Sequence, residues 1–132
     1  MSNVILARQR PTINPGKAFK LGNNILTKWG CSNTDKMAIM GLKKGTFFRY
    51  LKDESVVSLS GDQLERLSYL ANIHQALRLV FSNPDNVYGF MSMENHNPFF
   101  NGRTPLSIIS GGSFGALHDV YKRIDALRGG QW

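Results

Sequence analysis

Residues 60–81 read SGDQLERLSYLANIHQALRLVF, and the fold turns on this stretch. Ser60 with Gln63 three positions on has the form of a capping box. The serine hydroxyl accepts from the N–H of residue 63, and the glutamine side chain reaches back to the serine N–H. Behind the cap, Leu64, Leu67, Leu70, Ala71, His74, Leu77, Val80 and Phe81 recur at spacings of three and four, the apolar stripe of a helix. The stripe ends before Ser82-Asn83-Pro84, which starts a short helix running to about Met91. A helix this long must bury its stripe, so it is expected to be core; the other use of such a stripe is a dimer seam. His74, lying on it, is expected to be a hydrogen-bonded core residue rather than a ligand.

Toward the N-terminus the chain breaks into short helices. Asn14-Pro15 starts a helix to Trp29 that turns Phe19, Ile25, Leu26 and Trp29 inward, and Gly30 ends it. Ser32 with Asp35 caps a helix over residues 34–40, and Gly41 suits the left-handed residue that stops it. Leu42 then plugs the core, and a helix over residues 44–52 follows. Residues 37–51, MAIMGLKKGTFFRYL, thus have helix-turn-helix spacing. Phe47, Tyr50 and Leu51 are expected inside, with Lys43, Lys44, Thr46, Arg49 and Lys52 outside, where cations meet phosphates and base edges. Met37 stands where the two helices usually touch through a small residue, which implies a wider crossing. The competing reading is a purely structural corner. Residues 53–58 are a linker, or a brief extended piece around Val56 and Val57.

Toward the C-terminus, residues 93–103 form a loop in which Phe99 and Phe100 serve as a hydrophobic anchor. Thr104-Pro105 caps a short helix, Gly111-Gly112 breaks it, and Ser113 starts the last helix, to Arg128. That helix places Phe114, Leu117, Val120, Tyr121, Ile124 and Leu127 on one face. The chain is therefore all-α with about seven helices. Its divisions are an arm over residues 1–14, a helix-turn-helix region over 15–59 and a helical region over 60–132.

Charge separates the two halves. Residues 1–59 hold ten Lys or Arg against three Asp or Glu, and residues 60–132 hold six of each, so the whole net charge of +7 sits in the first half. A basic lobe beside a neutral one suggests different partners, the basic one suiting a phosphate backbone. With a hydrophobic fraction of 42%, the chain of 132 residues has material for a core. The single Cys31 excludes an intramolecular disulfide and reads as a buried apolar residue. His74, His96 and His118 are scattered, so no metal-ligand spacing appears. The start of the chain lacks a signal-peptide pattern, and no apolar run approaches the roughly 18 residues of a membrane span. A cytoplasmic protein without membrane contact is expected. Catalysis is not: no nucleophile-base pair or phosphate-cradling loop is present, and ISGGSFG (109–115) follows a helix and lacks a P-loop lysine. No cofactor or metal is implied.

The helix over 60–81, the segment NPFFNGRTPL (97–106) and the last helix with its Arg-Gly-Gly end carry a resemblance covering nearly all of the chain from about Gly16. The sequence resembles antitoxins of the Xre/MbcA/ParS type, which neutralise RES-domain toxins. The resemblance implies a Cro/Xre-like helix-turn-helix region followed by a toxin-binding domain. It implies binding rather than catalysis: the antitoxin covers the active-site cleft of a toxin that consumes NAD or transfers ADP-ribose. It also implies a homodimer inside a toxin–antitoxin complex that binds its own promoter, the operator DNA. The toxin-facing groups would then be Tyr121, Lys122, Asp125, Arg128, Gly129, Gly130 and Trp132, with Arg103 a further contact on a segment that mainly defines the fold. Trp and Arg are the side chains that dominate interface energies, and the glycines let the tail turn into a cleft. The alternatives are a frayed tail and a stand-alone helix-turn-helix regulator whose C-terminal region only dimerises.

Overall fold

A computed structural model describes residues 14–130. The expected arm, except for Asn14, and Trp132 lie outside the described residues. Among the described residues seven α-helices follow in order: α1 (Pro15–Lys28), α2 (Asn33–Met40), α3 (Lys44–Lys52), α4 (Gly61–Val80), α5 (Pro84–Gly89), α6 (Pro105–Ile109) and α7 (Phe114–Leu127). Single 3-10 turns cover Glu54–Val56 and Phe90–Ser92, and no strand occurs among the described residues. The first of these turns stands where a brief extended piece was the alternative to a linker.

Helix starts follow local chemistry. The side chains of Asn14, Ser32, Asn83, Thr104 and Ser113 each accept a first-turn backbone N–H. Ser60 and Gln63 bond reciprocally, at 3.1 and 2.9 Å. Only α3 begins without a side-chain cap, at Lys43. Gly41 closes α2 at φ 68°, where its N–H donates to Ala38 and the N–H of Leu42 donates to Met37 at 2.9 Å. Leu42 is buried as the expected plug, and Met37 is half-buried against the core.

Helix α4 is the centre. It packs on α1 along one side and on α7 along another. Gly22 of α1 lies directly against Leu67 and close to Leu70. Buried on α4 are Leu67, Leu70, Ile73, Ala76 and Leu77. Ile73 and Ala76 fall outside the expected stripe, and Leu64, Ala71, Val80 and Phe81 are only half-buried. The reason is that a helix covered on two sides buries a wide arc, so no single stripe describes it. Leu51 also departs from expectation. It is 42% exposed, because Phe47 and Tyr50 already fill the contact with Phe19 of α1. Thr46, expected outside, is half-buried. Cys31 is buried, and burial with Asp35 nearby pushes its thiol up to about 11. Phe100 is buried in the core and anchors the 93–103 loop.

Arg66 and Gln63 tie the corners of the two halves together. Arg66 of α4 donates to the carbonyls of Ile39, at 3.2 Å, and Gly112, at 2.8 Å. Its Nε is 2.9 Å from Asp62, and its guanidinium lies 5.9 Å over the Phe114 ring. Gln63 adds a bond of 3.0 Å to the carbonyl of Gly41. Between α6 and α7, Gly112 has φ 79°, and a Cβ there would sit 3.1 Å from the Ala38 carbonyl oxygen. The positive φ favours glycine there, and a Cβ would also crowd that carbonyl. Truncating Arg66 strips two carbonyls of their donor. Arg66→Ala is expected to lower stability by about 2–4 kcal/mol in urea unfolding. Arg66→Lys, whose single ammonium cannot keep both carbonyls and the separate Nε bond to Asp62, should recover only part of this.

His74 differs from the hydrogen-bonded core residue expected of it. It is half-buried and stacks on Tyr88 at 5.6 Å, and its Nδ1 is buried without a hydrogen-bond partner among the described residues. Lys28 lies 4.7 Å over the other member of the stack, Tyr88. Desolvation, then Arg78 and Lys28, hold the imidazole below its ordinary 6.5. The unfolded chain therefore binds the proton more readily than the native one. This contribution to stability is complete above pH 6.5 and falls away as pH drops toward the native value. Chemical denaturation of His74→Phe at pH 7.5 and below pH 6 should show a smaller acid loss than the parent chain.

Candidate functional site

Two surfaces gather the expected site residues. The first is α3. Phe47 and Tyr50 bury one side of this helix, so Arg49 and Lys52 stand on the opposite side, with Lys44 on its flank and Lys43 at the N-cap. All four cations are exposed, and none is in an ion pair among the described residues. Arg49 lies 5.6 Å over the Tyr50 ring, which fixes its stem along the helix. Thr46 sits at the edge of the buried face. The helix start has uncovered N–H groups, two lysines and no acidic residue in its first turn. Cations at that end oppose the helix dipole, so this end is stabilised by an added anion. Lys20 of α1 was not singled out by the sequence. It lines, with Tyr50, Leu51 and the acidic Glu54, the depression between α1 and α3.

The second surface is one flank of α7. Tyr121, Asp125 and Arg128 follow at spacings of three and four beside Lys122, so the fold brings these four together. Asp125 and Arg128 already pair, at 2.8 Å. Gly129 and Gly130 are exposed, and Gly130 turns the chain at φ 80°. Tyr69 of α4 supports this flank: its ring meets Phe114, His118 and Tyr121 at 5.4, 5.7 and 6.0 Å. Its hydroxyl is hydrogen-bonded to His118 Nδ1 at 2.8 Å. A shallow depression lined by Glu65, Ser68, Tyr69, Asn72, His118 and Tyr121 lies over the cluster. Sequence reading missed Tyr69 and His118 because the two meet across 49 residues.

Arg103 is apart from this flank. Its guanidinium donates to the carbonyls of Phe100, at 2.8 Å, and Phe99, at 2.7 Å, and so closes its own loop. That loop packs on the other flank of α7, where Arg123 lies 4.8 Å over Phe99. Trp132 is outside the described residues. Among the described residues no cluster of His, Cys, Asp and Glu that could hold a metal is formed, and no helix is long and apolar enough to cross a membrane.

Two family models match the chain in succession. Residues 10–72 match the antitoxin Xre-like helix-turn-helix domain. Residues 76–130 match the antitoxin Xre/MbcA/ParS C-terminal toxin-binding domain. The chain is also 30% identical over 107 residues to the "Uncharacterized protein y4oB" of Sinorhizobium fredii (strain NBRC 101917 / NGR234), across 80% of each chain. The two matched spans meet inside α4, between residues 72 and 76.

Proposed function

We propose, since this chain belongs to the Xre/MbcA/ParS family of antitoxins, that it neutralises a cognate RES-domain toxin by covering the toxin's NAD-binding active site. In this reading the region 60–132 faces the toxin and the region 15–59 faces operator DNA. The chain acts as a homodimer within the toxin–antitoxin complex and represses its own operon. It acts by binding, in the cytoplasm, and its own residues supply no chemistry.

The observation that carries the reading is the separation of two unlike surfaces. Unpaired cations stand on α3, within the span that matches a helix-turn-helix. An aromatic-backed flank with mixed charge stands on α7, within the span that matches a toxin-binding domain. A tyrosine rigidified by ring contacts orders little on binding, which favours affinity. Arg128 can exchange Asp125 for a carboxylate of the toxin at small cost, because their pair is solvent-exposed. Arg103 holds the loop under α7 and contributes a contact only at its rim.

Co-expression tests the toxin half. The RES-domain toxin expressed alone should arrest growth and deplete NAD, and this chain should restore both. Deleting residues 128–132 should leave the thermal melt in place and weaken that protection. Undiminished protection by the truncated chain would remove the tail from the interface, and toxicity unrelieved by the full chain would remove the toxin reading altogether.

Titration against salt tests the DNA half. Lys44→Gln with Arg49→Gln should weaken binding to the DNA upstream of the gene. The double variant should also reduce the slope of log affinity against log salt by nearly two, at about 0.9 for each phosphate that is no longer neutralised. An unchanged slope would take α3 out of the DNA interface.

A further inference from the structure

Besides Leu51, which is as exposed, the outer side of α3 contains one aromatic group that cations do not explain. Phe48 is 41% exposed. Every other Phe, Tyr and Trp among the described residues is buried or half-buried, so its position stands out from the rest of the fold. The core has no use for it: Phe47 beside it is fully buried and makes the contact with Phe19 of α1. Phe48 only touches the rim of that core, its ring meeting Phe47 edge-on at 5.2 Å.

Its neighbours say what it would meet. Lys44 lies one turn before Phe48 and Lys52 one turn after it, so the three form a single stripe along the helix. Arg49 stands beside the stripe. Gly45, on the adjoining line, has open space where a side chain would be. A partner fitting this face carries negative charge on both sides of a small apolar group and approaches the helix backbone closely at Gly45. The major groove of DNA has that form. Phosphates border it, and the one apolar group on its floor is the C5-methyl of thymine.

We propose that Phe48 reads thymine methyl groups in the operator, making it a specificity-determining residue while Lys44, Arg49 and Lys52 hold the phosphates. This rests on the DNA half of the proposed function and assigns that surface a base preference. A charged face alone would bind DNA of any sequence. Phe48 would supply discrimination in favour of thymine at the steps the helix lies over. The cations would set affinity and salt dependence independently of it.

Replacing thymine by uracil removes only the methyl group and keeps base pairing. The full chain is titrated with DNA from upstream of its gene, and with the same DNA carrying uracil at each thymine in turn. The parent chain should lose about fourfold in affinity at each thymine that Phe48 touches, the worth of one buried methyl group. Phe48→Ala should bind thymine and uracil DNA alike, with the salt slope of the parent and an unchanged thermal melt. Phe48→Ala that still prefers thymine, or a parent chain indifferent to every replacement, overturns the assignment to Phe48 and leaves DNA binding standing. A parent chain that binds the upstream DNA no better than unrelated DNA overturns the DNA reading and this inference with it.

Discussion

Arg66 bridges the corners of the two halves, alongside the packing of α1 on α4. Its guanidinium ties the carbonyl of Ile39, near the end of α2, to the carbonyl of Gly112, just before α7, while its stem crosses Gly41. Three segments far apart in the chain meet at one planar cation. Side-chain bonds to backbone carbonyls of this kind place turns relative to helices, because both acceptors would otherwise be left under the packed surface without a donor. The close approach of Gly112 to Ala38 follows from the same contact. The corner that presents α3 and the corner that launches α7 are therefore built against each other.

Helix α4 makes this possible. It carries Arg66 and Gln63 toward the α2–α3 corner, Leu67 and Leu70 toward α1, and Tyr69 toward α7. The matched helix-turn-helix and toxin-binding spans meet within it, so the helix belongs to both. The halves nevertheless differ in charge, with the whole excess of +7 in the first. A shared helix with a basic half on one side and a charge-balanced half on the other sets two electrostatically unlike surfaces on one small chain.

Much of the fold was legible because helix ends are local chemistry. Ser60 with Gln63, Asn14 with Pro15, and Gly41 after Met40 each act within a few residues, and each is found where the sequence places it. The all-α class and the helix-turn-helix corner follow from such signals. The buried arc of α4 did not, since Ile73 and Ala76 become core only when two other helices cover that helix. Leu51 was misplaced for a related reason: an apolar residue on a short helix stays outside when its neighbours fill the contact. On the candidate surfaces, the exposed lysines of α3 could be named from spacing, and the α7 residues only from the resemblance to the antitoxins. Tyr69 with His118, and Lys20 on the rim of the depression between α1 and α3, could not, because tertiary packing places them.

The central claim is that α7 and the Tyr69 cluster form the toxin-facing surface while α3 remains free for DNA. Amide hydrogen exchange of the full chain, alone and saturated with its RES-domain toxin, addresses it most directly. The account predicts slowed exchange over residues 114–130 and around Tyr69, with residues 44–52 exchanging as in the free chain. Protection centred on 44–52, or none over 114–130, would contradict it.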